Sequence, residues 1–121
     1  MTRVVISGSR SFKDYELFAR ALALVLEDLK DEVELVSGHA EGADRFAERF
    51  AEERGLPIKV MEPDWKTYGR AAGLVRNRQM LEYAAEETPY VIAFWEGASR
   101  GTKNTVKTAQ KLGIPGEICM I

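Results

Sequence analysis

The chain has 121 residues, 45% of them hydrophobic and 30% charged, with a net charge of −2. That length can bury one hydrophobic core and hardly two, so residues 1–121 are expected to form a single domain. The weakly acidic balance argues against coating of duplex nucleic acid, which needs many Lys and Arg on phosphates. No run approaches the roughly 18 apolar residues of a membrane-spanning helix.

Met1 leads into an apolar run with no charged-then-apolar leader pattern, which makes a cytoplasmic protein the expectation. Arg3 to Ser7 reads as a buried strand. Asp14 then precedes Leu17, Phe18, Ala21, Leu22, Val25, Leu26 and Leu29 at helical spacing. Glu32 to Ser37 is a second strand, and Ala43, Phe46, Ala47, Phe50 and Ala51 form an apolar stripe ended by Gly55. Ile58 to Met61 is a short third strand. Pro63 to Gly73 lacks periodicity and reads as a loop. Leu74, Val75, Met80, Leu81, Ala84 and Ala85 suit a third helix, and Tyr90 to Trp95 a fourth strand. Thr105, Val106, Ala109 and Leu112 mark a fourth helix stopped by Gly113, and Glu117 to Ile121 a fifth strand. Strands alternating with helices of this length require crossover connections. The expected fold is therefore α/β: a Rossmann-like, doubly wound parallel sheet of order 3-2-1-4-5 with helices on both faces.

Three strand-to-helix turns are rich in Gly, Ser and Thr, and in a parallel sheet all three open at the carboxyl edge. Backbone N–H groups and helix N-termini can converge there on an anion. In the first turn Gly8 permits close approach, Ser9 offers a hydroxyl and Arg10 a planar fork of donors. A phosphate contact and a solvated arginine are both open for it. In the second turn Gly38 and Gly42 bracket His39, and Asp44 enters the first helical turn. Asp44 either answers the helix dipole or accepts ribose hydroxyls. The third turn, with Gly97, Ser99, Gly101 and Thr102, carries the densest set of donors. It matches neither the Walker A pattern nor the spaced glycines of dinucleotide enzymes.

Between the second and third turns, Trp65 and Tyr68 offer flat walls for a base, or else fill an apolar gap or a subunit contact. Arg70, Arg76, Asn77 and Arg78 add donors. Cys119 has no partner for an internal disulfide, and the lone His39 has no clustered Cys or His, so neither a metal nor a cofactor is expected.

Taken together, GSR at residues 8–10, SGHAEGAD at 37–44, PDW with YGRAAG and RN, and FWEGASRGT at 94–102 resemble the YspA-like branch of the SLOG families. These are Rossmann-like proteins related to YpsA, to the LOG phosphoribohydrolases and to DprA. The likeness runs from Ile6 to about Leu112. It implies a pocket for a nucleotide or nucleotide-derived ligand, lined by the three turns. LOG proteins cleave nucleoside monophosphates to base and ribose 5-phosphate, and their pattern places a glutamate three residues after the Gly-Thr threonine. Here that position is Thr105, which cannot supply a carboxylate.

The expected function is therefore binding or sensing of a small nucleotide-like ligand. LOG-like N-glycosidic cleavage, with Arg76 and Glu96 as candidate catalytic groups, is the alternative. A single-stranded nucleic-acid module is disfavoured by the charge, no membrane partner is expected, and a homo-oligomer, dimer or higher, would cover the exposed aromatics.

Overall fold

The computed structural model describes residues 1–121 in full. Its elements run β1 (Thr2–Gly8), α1 (Tyr15–Leu29), β2 (Val33–Ser37), α2 (Ala43–Arg54), β3 (Ile58–Val60), α3 (Trp65–Tyr68), a 3₁₀ turn (Gly69–Ala71), α4 (Ala72–Ala85), β4 (Thr88–Trp95), α5 (Arg100–Lys111) and β5 (Gly116–Met120). The sheet has five strands, all parallel, in the order β3-β2-β1-β4-β5.

Alternation along β1 divides the core. Val4 and Ile6 pack on one face with Phe18 and Leu22 of α1 and Ala47 and Phe50 of α2. Val5 packs on the other with Met80, Leu81 and Ala84 of α4 and Ala109 of α5. Both faces are thus covered, as parallel strands with crossover helices require. No helix is long and apolar enough to cross a membrane.

Local signals set most boundaries. The Asp14 carboxylate accepts from the Leu17 N–H at 3.1 Å and caps α1. Gly55 adopts φ 65 and closes α2 by donating to the Ala51 carbonyl. Three stretches differ from the sequence expectation. β4 begins at Thr88, because β1 already runs beside it there, pairing Thr2 with Thr88 and Arg3 with Pro89. Pro89, which has no N–H, is tolerated because β5 first joins at Val91. α5 begins at Arg100, where Ser99 supplies the cap, ahead of the apolar stripe that starts at Thr105. The aperiodic loop contains a short helix, α3, capped by the Asp64 carboxylate on the Thr67 N–H.

Candidate functional site

The strand order reverses between β1 and β4, and the first and third turns lie side by side at that switch point. Gly8 makes the approach possible: a Cβ there would stand 2.6 Å from the Ala43 Cβ and 2.9 Å from the Phe94 carbonyl. Ser9 then donates its N–H to that same Phe94 carbonyl at 3.0 Å. The second turn closes on the first, since Gly42 has φ 85 and a Cβ on it would meet the Ser9 carbonyl at 2.3 Å.

The three turns and the start of α4 enclose a polar cleft of about 520 Å³. Gly8, Ser9, Arg10, Asp44, Trp65, Arg76, Asn77, Glu96, Ser99, Gly101 and Thr102 all line it. Gly38 and His39 instead line an adjoining concavity with Arg10 and Trp65. Tyr68 and Gly97 line neither. Tyr68 stands 43% exposed at the end of the single-turn α3, and Gly97 turns the chain at φ 99 with only the Met120 side chain near it. Arg78 is spent on Glu82 one turn along α4, at 3.3 Å. The cleft also takes Ser11, Leu74 and Met80, which no motif marked. Leu74 stands 51% exposed at the mouth, and only the path of α4 shows that this apolar surface faces the cleft.

Arg76 and Asn77 are buried on α4 and bind the turns together. Arg76 Nε donates to Asn77 Oδ1 at 3.0 Å, and Nη1 donates to the Gly38 carbonyl. Asn77 Nδ2 approaches the Gly101 carbonyl at 3.5 Å. Asp44, 6% exposed, accepts the Ala40 N–H at 3.2 Å and does not cap the helix it opens, whose N-cap is Gly42. Burial pushes the Asp44 carboxyl up to about 6, against the opposing pull of the Ala40 N–H and the Arg76 charge. Burial likewise lowers Arg76, and the Asp44 charge restrains that fall.

The third turn leaves backbone donors open at the head of α5. Ser99 Oγ accepts from the Thr102 N–H and hydroxyl at 3.4 and 3.1 Å. The Arg100 and Gly101 N–H groups, which precede the first intrahelical bond, remain as donors at the start of a three-turn helix. Ser9 is 1% exposed and its hydroxyl makes no well-aligned hydrogen bond. That hydroxyl, followed by the Ser99 and Ala98 N–H groups, holds the neighbouring Glu96 carboxyl below its ordinary range. Glu96 accepts from those two N–H groups at 2.7 and 3.0 Å, so the loop already carries one negative charge of its own. Thr105 is fully buried outside the cleft, with its hydroxyl on the Gly101 carbonyl at 3.2 Å.

Fold and cleft together define a doubly wound α/β protein with a polar, arginine-bearing site at its switch point. Residues 2–68 match the profile of the YspA, cpYpsA-related SLOG family. The Gene 61 protein of Mycobacterium phage D29 is 37% identical over 120 residues, covering 95% of this chain and 94% of that protein. The chain therefore belongs to the YspA, cpYpsA-related SLOG family. Among solved structures, DNA processing protein A (DprA) from Streptococcus pneumoniae matches over 98% of this chain with a TM-score of 0.74 at 20% identity, a likeness of fold. The chain spans 50% of that DprA chain.

Proposed function

We propose that the cleft binds a nucleotide or nucleotide-derived small molecule. The observation that carries this reading is the convergence on one cleft of the Arg10 guanidinium and the donor-rich N-terminus of α5. Helix N-terminal N–H groups and a guanidinium are the donors that recognise phosphate oxygens. In this reading Ser9, Arg10 and the Gly101 and Thr102 end of α5 hold phosphate. Asp44 accepts ribose hydroxyls, and Trp65 with Leu74 flanks the base.

A panel of nucleotides tested by thermal melting checks it. At a concentration of 100 times the dissociation constant, a ligand stabilises the fold by about 2.7 kcal/mol. Arg10→Ala and Thr102→Val should each weaken the effect of any ligand that binds. A panel in which no nucleotide shifts melting removes the reading. A single-stranded oligonucleotide belongs in the same panel, because the structural neighbour is named for DNA processing. Binding to it that falls steeply with salt would replace the small-molecule reading.

A second reading, N-glycosidic cleavage of a nucleoside monophosphate, draws on a different observation. Asp44 is a carboxyl in the cleft held near neutrality and close to a buried arginine, the setting of a group that exchanges protons during a reaction. Release of free base from a bound monophosphate, lost in Asp44→Asn, would establish it. A bound monophosphate recovered intact after prolonged incubation would remove it.

A further inference from the structure

The adjoining concavity, of about 410 Å³, holds a side-chain pair that the nucleotide reading leaves without a task. His39 takes φ 63, a left-handed conformation uncommon outside glycine, and lines this space with Arg10, Glu41, Arg45 and Glu62. Its N–H donates to Ser37 Oγ at 3.1 Å, and its Nδ1 lies 2.9 Å from both oxygens of Glu48. The fully buried Ser37 hydroxyl in turn reaches Glu48 Oε2 at 2.9 Å and the Asp44 carbonyl at 3.0 Å. The end of β2 and the body of α2 thus fix the carboxylate, and the carboxylate fixes the ring.

A carboxylate only accepts, so Nδ1 carries the proton of the neutral ring and Nε2 keeps its lone pair. Nε2 lies on the side of Glu62, which lines the concavity and whose Oε1 stands 3.8 Å away, beyond hydrogen-bond reach. A carboxylate behind an imidazole whose other nitrogen faces open space is the arrangement of a general base. It selects the tautomer, aims the ring and stabilises the imidazolium that forms when Nε2 takes a proton. Two guanidinium groups share that space. Arg10 and Arg45 pair with no carboxylate, although Glu41 and Glu62 line the same walls. The only hydrogen bond of the Arg45 side chain is a long one, 3.4 Å from Nε to the His39 carbonyl. Arg76 completes the wall with donors already spent on Asn77 and Gly38.

We infer that this concavity is a hydrolytic site, in which His39, oriented by Glu48, activates water against a phosphodiester held by Arg10 and Arg45. A water proton passes to Nε2 as the water oxygen bonds to phosphorus. The bond from phosphorus to one ester oxygen breaks, and the imidazolium returns the proton to that departing oxygen. The products are a phosphomonoester and an alcohol, and His39 ends as it began. A diester suits a general base better than a monoester does. Attack of water on its singly charged phosphorus needs the water proton removed, whereas phosphoryl transfer from a monoester passes through a loose transition state that gains less from a base. The planar forks of Arg10 and Arg45 are the groups that neutralise the charge gathering on the phosphoryl oxygens. The inference stands apart from the nucleotide reading of the first cleft, since an ester that carries no base tests it.

Release of p-nitrophenolate from bis(p-nitrophenyl) phosphate is the assay, on the wild-type chain and on His39→Asn, Glu48→Gln and Arg45→Ala. Asparagine accepts the left-handed conformation, so His39→Asn keeps the turn and removes the base. It should lower kcat by about 10²-fold or more. Glu48→Gln should lower kcat by about tenfold with KM within about twofold, because Glu48 acts through the ring. Arg45→Ala should raise KM several-fold. The wild-type rate should fall toward low pH as the imidazole takes up a proton, and that limb should vanish from the residual rate of His39→Asn. The charged groups around the ring are Glu48, Glu62, Glu41, Arg10, Arg45 and Arg76. His39 is the one histidine of the chain, so added imidazole should restore activity to His39→Gly, which also suits φ 63. That rescue carries the test if Glu48→Gln does not fold. No hydrolysis by the wild type, full activity in His39→Asn, or no rescue of His39→Gly would each overturn the hydrolytic site, whatever nucleotides do in the first cleft.

Discussion

Arg76 lies face-on against Gly38: a Cβ on that glycine would stand 2.7 Å from both Cζ and Nη1 of the guanidinium, which donates to the Gly38 carbonyl itself. The contact fastens α4, which follows the third strand, to the turn after the second. Both clefts take Arg76 as a wall. Gly38→Ala should displace the guanidinium, because Arg76 is 8% exposed and has little room to retreat. The expected cost is about 1–3 kcal/mol of stability in urea unfolding, with nucleotide affinity lowered by about tenfold or more. Wild-type affinity in Gly38→Ala would show that the position of Arg76 does not matter to the ligand.

Asp44 makes stability fall as pH rises. Its folded carboxyl titrates at about 6 against an ordinary 3.8, so between those values the folded chain binds more of the proton than the unfolded chain does. The Asp44 contribution is therefore most favourable below that window and is lost by pH 7. Asp44→Asn, which keeps an acceptor for the Ala40 N–H, should raise stability at pH 8 by an amount on the order of 2 kcal/mol. It should also flatten the dependence between about pH 4 and 6. Denaturant midpoints measured across pH on both chains test this, and a steeper loss at high pH in the variant contradicts it.

Glu96 bears its charge beside the donors assigned to phosphate. If the cleft holds an anion, Glu96→Gln should tighten binding several-fold by removing a like charge, while its side-chain carbonyl keeps accepting from Ser99 and Ala98. Under the cleavage reading with Glu96 as a reacting carboxylate, the same variant should stop release of base. Calorimetry and product analysis on the one variant separate the two.

Thr105 stands at the position of the LOG glutamate but is buried away from the cleft. Thr105→Glu should therefore create no base release. Placing a carboxylate there without a partner should destabilise the chain by roughly 3 kcal/mol or more. A stable Thr105→Glu protein that releases base from a monophosphate would show that α5 can present this position to the site.

The alternation of strands and helices, the strand order and the carboxyl-edge location of the three turns were legible in the sequence. Period-2 and period-3.6 patterns, together with glycines at element ends, are local signals. The convergence of Arg10, Asp44, Arg76, Ser99 and Thr102 followed from that topology and from the family motifs, because a parallel sheet sends all such turns to one edge. What lay beyond the sequence was the direction of individual side chains. Trp65 and Tyr68 are three residues apart in one loop, yet only Trp65 lines the clefts, because their walls depend on where α3 packs against the turns and not on its local pattern. Arg45 looked like an ordinary surface charge of an amphipathic helix, and it joins Arg10 and Arg76 only through the packing of α2 against the first turn at Gly42. Asp44 is the clearest case. Sequence placed it at a helix start, and tertiary burial beside Arg76 moved its titration toward neutrality, because desolvation depends on what packs around a carboxyl and not on its neighbours along the chain.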